Sequence, residues 1–370
     1  MAGKVLIPIN RPLLPASERL LPYLKRADEA RYYTNYGQLE AELATRLAAH
    51  FGAEPGNLVL ANSGTSAIIG AILAVAGRPA GKRRLCICPA YTFVATAVAA
   101  AACGYEPYFI DIDPLTWAAD PGRLDQLPVI AEAGVVVAVA PYGRMVDVRA
   151  WNDFSGRHGV PVVIDAAGCF DSLDVAAIAH CSVPVAVSLH ATKTFSTAEG
   201  GFVLCGNAEQ ARRVTRALNF GFFESRQSEG PSINGKLSEY HAAVGLAELD
   251  AWPSKRENFL RVARDYRAAA QLRGLENDLF SDCERASAYA LYSAASPGHA
   301  RRIALAFDEN HIGSRLWYGL GLHRQPEFSA CRHDSLAATD DLAARLIGLP
   351  LAVDMSRDDI GRVADVIAAA

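Results

Sequence analysis

Four short clusters in this chain of 370 residues carry side chains suited to covalent or acid–base chemistry. In "SLHATKTFSTAEGG" (188–201) a lone lysine, Lys193, stands among small and hydroxylated residues. An amine becomes a nucleophile, or takes up a carbonyl as a Schiff base, where its surroundings let it be neutral part of the time. The plain alternative is a solvated loop charge. In "PVVIDAAG" (161–168) Asp165 closes an apolar run and is followed by Ala166, Ala167 and Gly168. A carboxylate in such surroundings is costly to bury unless it meets a cation or strong donors, and a protonated heterocyclic nitrogen is one such partner. A turn or helix-cap aspartate is the other reading. In "SGTSAIIGAI" (63–72) small residues and hydroxyls open a helical pattern, where backbone N–H groups and a partial positive charge can hold a phosphate. The same hydroxyls also serve as caps with no ligand. The fourth cluster, "AYTF" (90–93), brings Phe93 onto a loop.

The elements that must position these groups are legible as alternation. Strand-like runs, among them "NLVLAN", "RLCICP", "EPYFIDID", "VVVAVAPYG", "PVVIDAAG", "VPVAVSLH" and "GFVLCG", are separated by helical patterns such as "SAIIGAILAVAG". Strands apolar on both faces predict an α/β fold with a mostly parallel sheet wrapped by helices. In such sheets ligands gather beyond the carboxyl ends of the strands, and each of the four clusters follows its own strand there. Together they are the parts that hold pyridoxal 5′-phosphate: a cup for the phosphate, an aromatic against the ring, Asp165 on the ring nitrogen and Lys193 for the aldehyde. No G-x-x-x-x-G-K-[ST] or G-x-G-x-x-G pattern supports nucleotide hydrolysis or dinucleotide binding.

The bulk properties set the frame. The length favours a large domain with a smaller partner, divided here at residues 1–250 and 251–370, with Pro253 as the expected bend or break in a long helical stretch. A formal charge of −4 and a pI near 6.2 give no reason to expect nucleic acid as a partner. No run reaches the roughly 18 apolar residues of a membrane helix, and Arg11 and Pro12 interrupt the start before signal-peptide length, so a soluble cytoplasmic protein is expected. The eight cysteines are scattered. Those in apolar runs, such as Cys86, Cys88 and Cys205, read as small buried hydrophobes, and no metal site is expected.

The ordered set of motifs resembles the DegT/StrS group of fold type I sugar aminotransferases. The likeness is carried by "YTNYGQLEAELATRLAAHFG", "SGTSAIIGAI", "PAYTFVATAVA", "IDAAGCFDS", "SLHATKTFSTAEGG", "INGKLSEYHAAVGLAELD" and "LHRQPEF", which span most of the chain. It implies a mostly parallel seven-stranded sheet with a smaller C-terminal α+β domain. It also implies that Lys193 is the Schiff-base lysine and acid–base group, that Asp165 keeps the ring nitrogen protonated, and that Phe93 stacks on the ring. Gly64, Thr65 and Ser188 would surround the phosphate, and Asn234 would reach the phosphate in a neighbouring subunit of a homodimer. Tyr33, Asn35, Tyr36 and His323 would lie toward a nucleotide sugar.

The implied reaction moves an amino group from L-glutamate to a keto sugar, and the wording most resembles enzymes that aminate C4 of a dTDP-4-keto-6-deoxyhexose. A 3-keto sugar or keto-cyclitol acceptor, and an inactive regulatory protein of the same fold, are the alternatives. Three positions depart from the group's usual pattern: Gly168 stands where Gln or His usually approaches the cofactor's phenolic oxygen, and Ala90 and Gln38 replace Ser or Tyr and Pro. His190 and His241 are expected to be packed structural residues, and Arg226 and Lys236 solvated charges.

Overall fold

The computed structural model describes residues 6–370; the first five residues of the N-terminal stretch read above lie outside it. Seven strands form the main sheet: β1 Leu58–Ala61, β2 Leu85–Pro89, β3 Glu106–Ile110, β4 Ala133–Val139, β5 Val162–Asp165, β6 Val185–Ser188 and β7 Gly201–Leu204. Their order is β1-β7-β6-β5-β4-β2-β3. Strands β2 to β6 pair in parallel, while β7 runs antiparallel between β6 and β1.

The two-residue period of the strands divides their side chains between two cores. Ile87, Val136, Ala138, Ile164 and Val187 point into one, against Leu39, Leu43 and Trp252. Cys86, Cys88, Val135, Val137 and Val163 point into the other, under the helix Gly64–Val75. Burial on both faces is why these strands read as continuous apolar runs. It also accounts for Cys86, Cys88 and Cys205, which are buried free thiols.

The smaller sheet, β8 Leu279–Phe280, β9 Ala290–Ser293 and β10 Leu346–Leu349, is antiparallel in the order β10-β9-β8. Its last helix, Arg357–Ala369, starts at Ser356, whose Oγ accepts from the Asp359 N–H at 3.1 Å, the cap that "MSRDD" predicts. The helix Glu239–Gln271 runs through Pro253 without the expected break, so it crosses residue 250 as one rod shared by both parts. The N-terminal arm pairs with the smaller part: the Leu6 N–H donates to the His311 carbonyl at 2.9 Å, and Asn10 bridges to Leu351. No helix among the described residues is long and apolar enough to cross a membrane.

Candidate active site

A cavity of about 440 Å³ opens at the carboxyl ends of the central strands, and Lys193, Asp165, Gly64, Thr65, Phe93 and Ser188 all line it. Lys193 sits on the excursion between β6 and β7. Main-chain bonds rivet that loop: Leu189 N–H to Gly200 O at 2.9 Å, Ala191 N–H to Ala198 O at 2.8 Å, and Lys193 N–H to His190 O at 2.9 Å. Glu248 of the long helix, paired with Lys255 in the core, accepts from the Ser196 N–H and fixes the loop from below. His190 also belongs to this scaffold, since its Nδ1 accepts from the Thr192 N–H at 3.2 Å, although its ring lines the cavity.

The Lys193 ammonium donates to the hydroxyl of Tyr289 at 2.9 Å. Burial works against its charge, but that hydroxyl and the Asp165 carboxyl outweigh burial and leave its pKa above the ordinary value. Asp165, only 5% exposed, ends β5. Its Oδ2 accepts from the Thr96 hydroxyl at 2.7 Å and its Oδ1 from the Ala167 N–H at 3.1 Å. Because Thr96 gives its proton to Asp165, the 2.9 Å contact between the two threonine hydroxyls is donated by Thr92. Burial pushes the Asp165 carboxyl up, and these donors together with Lys193 only partly offset it. The carboxylate thus lacks a full counter-charge, a need that a protonated ring nitrogen meets.

Ser63 caps the helix Gly64–Val75, its Oγ accepting from the Ser66 N–H at 3.0 Å. Capping therefore accounts for Ser63, while Gly64 and Thr65 face the cavity. A Cβ at Gly64 would stand 2.7 Å from the Cβ of Ser188, so only glycine brings the helix start this close to that hydroxyl. A helix N-terminus, two hydroxyl residues and a backbone cradle make a donor set that suits a phosphate. Phe93, 58% exposed, forms an open wall. The residues present therefore fit pyridoxal 5′-phosphate at each of its polar ends.

Five of the sequence-derived residues do not line this chain's own cavity. Asn234 is exposed, and its Oδ1 accepts from Lys236 at 2.8 Å, so Lys236 is engaged rather than solvated. Tyr33 is held at the start of the long helix, its carbonyl accepting from the Glu239 N–H at 3.0 Å and its ring 5.7 Å from that of Tyr240. Asn35 and Tyr36 follow in left-handed backbone, with φ of 66° and 62°. These four residues flank the amino end of one helix. His241 there is structural, its N–H bonded to the Ser238 cap. His323 turns its Nε2 to Asp340 at 2.9 Å, and its side chain is only 7% exposed.

Beneath the Tyr33 to Gly37 turn lies a buried acidic pair. Glu239 accepts from the Leu39 and Glu40 N–H groups, both at 2.9 Å. Burial first, and then the charge of Glu239, push the Glu40 carboxyl up to about 7. A carboxyl raised in the folded state contributes stability that is whole below its ordinary value and is lost as pH rises through about 7. Glu40→Gln is therefore expected to be more stable than the parent by about 3 kcal/mol at pH 8 and to match it at pH 4. Thermal midpoints at the two pH values check this.

Several cavity residues escaped sequence reading. Tyr142 (φ 55°) stacks on Tyr318 with ring centroids 4.4 Å apart, and the Tyr91 and Tyr142 hydroxyls meet at 2.8 Å. Arg315 lies over the ring of Trp317, 5.2 Å from its centroid, with no carboxylate partner among the described residues. Tyr289, Arg315 and Trp317 come from the smaller part of the chain and lie outside every motif quoted above.

Residues 16–368 match the model of the DegT/DnrJ/EryC1/StrS aminotransferase family. Protein Rv3402c of Mycobacterium tuberculosis is 30% identical over 96% of this chain and 88% of its own length. A dTDP-4-amino-4,6-dideoxy-D-glucose transaminase of Shigella dysenteriae is 34% identical over 65% of this chain and 64% of its own. The solved structure of DesI in the presence of its TDP-sugar product superposes with a TM-score of 0.83 at 28% identity, covering 100% of this chain and 93% of that one.

Proposed function

Because the chain belongs to the DegT/DnrJ/EryC1/StrS aminotransferase family and is a pyridoxal 5′-phosphate-dependent sugar aminotransferase, we propose that it transfers the amino group of L-glutamate to C4 of dTDP-4-keto-6-deoxyglucose. The products are 2-oxoglutarate and a dTDP-4-amino-4,6-dideoxy sugar. The observation that carries this reading is the convergence of Lys193, Asp165 and the Gly64–Thr65–Ser188 cradle in one cavity, joined to likeness with a dTDP-4-amino-4,6-dideoxy-D-glucose transaminase and with DesI, solved in the presence of its TDP-sugar product.

When bound, the cofactor supplies an aldehyde that takes up the amino group and a ring that receives the electron pair left at the donor's α-carbon. The chain does the rest. Asp165, poorly compensated without a cation, holds the ring nitrogen protonated; Thr96 fixes the carboxyl's orientation, and Thr92 fixes Thr96. Lys193 would hold the cofactor's aldehyde, and its Nζ, once free, would be the base that takes the proton from the donor's α-carbon and the acid that gives one to the carbon bearing the new amine. Gly64, Thr65 and Ser188 anchor the phosphate so that the reacting carbon stays within reach of Nζ. Arg315, a guanidinium facing the cavity without a carboxylate partner among the described residues, receives the donor's carboxylate.

The test is incubation of the purified protein with glutamate and dTDP-4-keto-6-deoxyglucose, with the product identified by mass and NMR. An amine at C4 is expected. Amination of a 3-keto sugar instead, with the 4-keto sugar untouched, would overturn the assignment of position and leave the cofactor chemistry standing.

The active unit in this reading is a homodimer whose sites are shared. Asn234 and the Tyr33 to Tyr36 turn lie together outside the chain's own cavity, which suits groups delivered to a neighbour's site. Lys193→Ala and Asn234→Ala proteins, each inactive alone, are expected to regain activity after subunit exchange. Half of the dimers are then hybrids with one intact site in two, which gives about one quarter of the parental rate. A mixture that stays inactive after proven exchange excludes shared sites.

A further inference from the structure

The space beside Gly168 is occupied from the other part of the chain. A Cβ built on Gly168 would lie 3.1 Å from Cε2 of Tyr289 and 3.1 Å from the amide nitrogen of Gly143, closer than ordinary van der Waals contact. The turn carrying Gly143 presses in from the opposite side, where a Cβ on Gly143 would meet the Gly168 carbonyl at 2.9 Å. A side chain at 168 would therefore press on the Tyr289 ring and on the Gly143 backbone, which must give by a few tenths of an ångström to admit it.

Tyr289 is a committed occupant of this space. It immediately precedes β9, and its N–H is tied to the Ser287 hydroxyl at 3.1 Å. Its ring stands edge-on to Trp317 at 5.6 Å and to Tyr142 at 5.3 Å. This packing aims the hydroxyl at the Lys193 amine, 2.9 Å away.

We infer that Tyr289 is the proton-holding partner of Lys193, with a hydroxyl that reaches the reacting nitrogen through space that glycine at position 168 leaves open. The departure from the family's usual wording at Gly168 is then one half of an exchange whose other half lies 121 residues further on, from 168 to 289. Other groups face the amine. Asp165 and Cys169 do so from the end of β5 and the turn after it, and His190 and Glu199 line the cavity from the lysine's own loop. Arg315, Tyr142 and Tyr318 line the cavity beyond them. Among the described residues Tyr289 alone hydrogen-bonds Nζ.

The sign of the effect follows from the direction of that bond. The amine donates and the phenol oxygen accepts, so the contact favours the protonated lysine; removing it makes the neutral amine available at lower pH. The inference rests on the cofactor of the family and not on the identity of the sugar, and it is tested without any sugar.

Apoenzyme, prepared by converting the cofactor to its amine form with glutamate and dialysing it away, is mixed with pyridoxal 5′-phosphate across a pH series. Capture joins the neutral amine to the aldehyde with loss of water, so its rate rises with pH through the lysine's pKa. Tyr289→Phe is expected to lower the midpoint of that rise by about one pH unit. In the reconstituted Tyr289→Phe protein, the single-turnover reaction with glutamate is expected to slow by about 10- to 100-fold, with the apparent affinity for glutamate retained.

Gly168→Ala leaves Tyr289 in place but pushes its ring. It is expected to move the capture midpoint downward by a smaller amount, and it decides the matter should Tyr289→Phe fail to fold. An unchanged or raised midpoint in Tyr289→Phe overturns the role of the hydroxyl. An unchanged midpoint in Gly168→Ala overturns the sharing of space.

Discussion

Replacing Lys193 with alanine is expected to lower multiple-turnover amino transfer by at least about 10⁴-fold and to remove the absorbance near the visible edge that marks cofactor joined to the protein. Two roles disappear with one side chain: the amine that takes the aldehyde, and the base that moves the proton. The fold is expected to survive. The loop is held by main-chain bonds at residues 189, 191, 193 and 197 and by Glu248 below Ser196, none of which involves the lysine side chain. The alanine protein should therefore melt as cooperatively as the parent and still accept pyridoxal 5′-phosphate reversibly. Steady-state turnover near the parental rate would remove Lys193 from the mechanism.

Asp165→Asn is the second large effect, and it is a cleaner charge deletion than it first looks. The amide has the shape of the carboxyl, and its oxygen can still accept from the Thr96 hydroxyl that Asp165 meets at 2.7 Å. What it cannot do is hold a cationic ring nitrogen. Loss of that charge in a buried site is expected to slow both half-reactions by about 10²- to 10³-fold while the phosphate cup retains most of the cofactor affinity. Stopped-flow measurement of the glutamate half-reaction separates the two quantities. Full-speed proton transfer in Asp165→Asn would show that the ring nitrogen needs no counter-charge. Since burial pushes the Asp165 carboxyl up, weakening its remaining donors should push it further. Thr96→Val is therefore expected to raise the acid-side midpoint of the same half-reaction, the direction opposite to that of Tyr289→Phe on the lysine.

The residues that line the cavity floor and the strands that carry them were readable in the sequence because their signals are local. Asp165 ends a buried strand, Lys193 follows the next one, and Ser63 to Ser66 open a helix; each signal is complete within a few residues. Strand alternation likewise placed all seven strands of the main sheet. The continuity of the long helix through Pro253 was not readable, because tertiary packing along both flanks outweighs one lost backbone bond. Nor was Tyr289: an aromatic residue before a short strand carries no local mark of what it will face, and its relation to Gly168 exists only in three dimensions. His323 illustrates the converse. Its surroundings look like a site motif, yet Asp340 holds its ring at 2.9 Å, away from the cavity wall.

The positions that make bonds and the positions that face the outside are carried by different parts of the chain. Asp165 ends a strand of the main sheet, Lys193 sits on a loop held by main-chain bonds, and Thr96 reaches Asp165 from the helix Ala95–Ala102. Tyr33, Thr34 and Asn35 lie on an exposed turn outside this chain's own cavity. A lineage built this way can exchange its acceptor by drift in the outer segments while the amine-transfer core is inherited intact. Directed evolution toward a new ketone should accordingly find its gains outside residues 188–201, and libraries confined to that loop should return mostly dead enzymes.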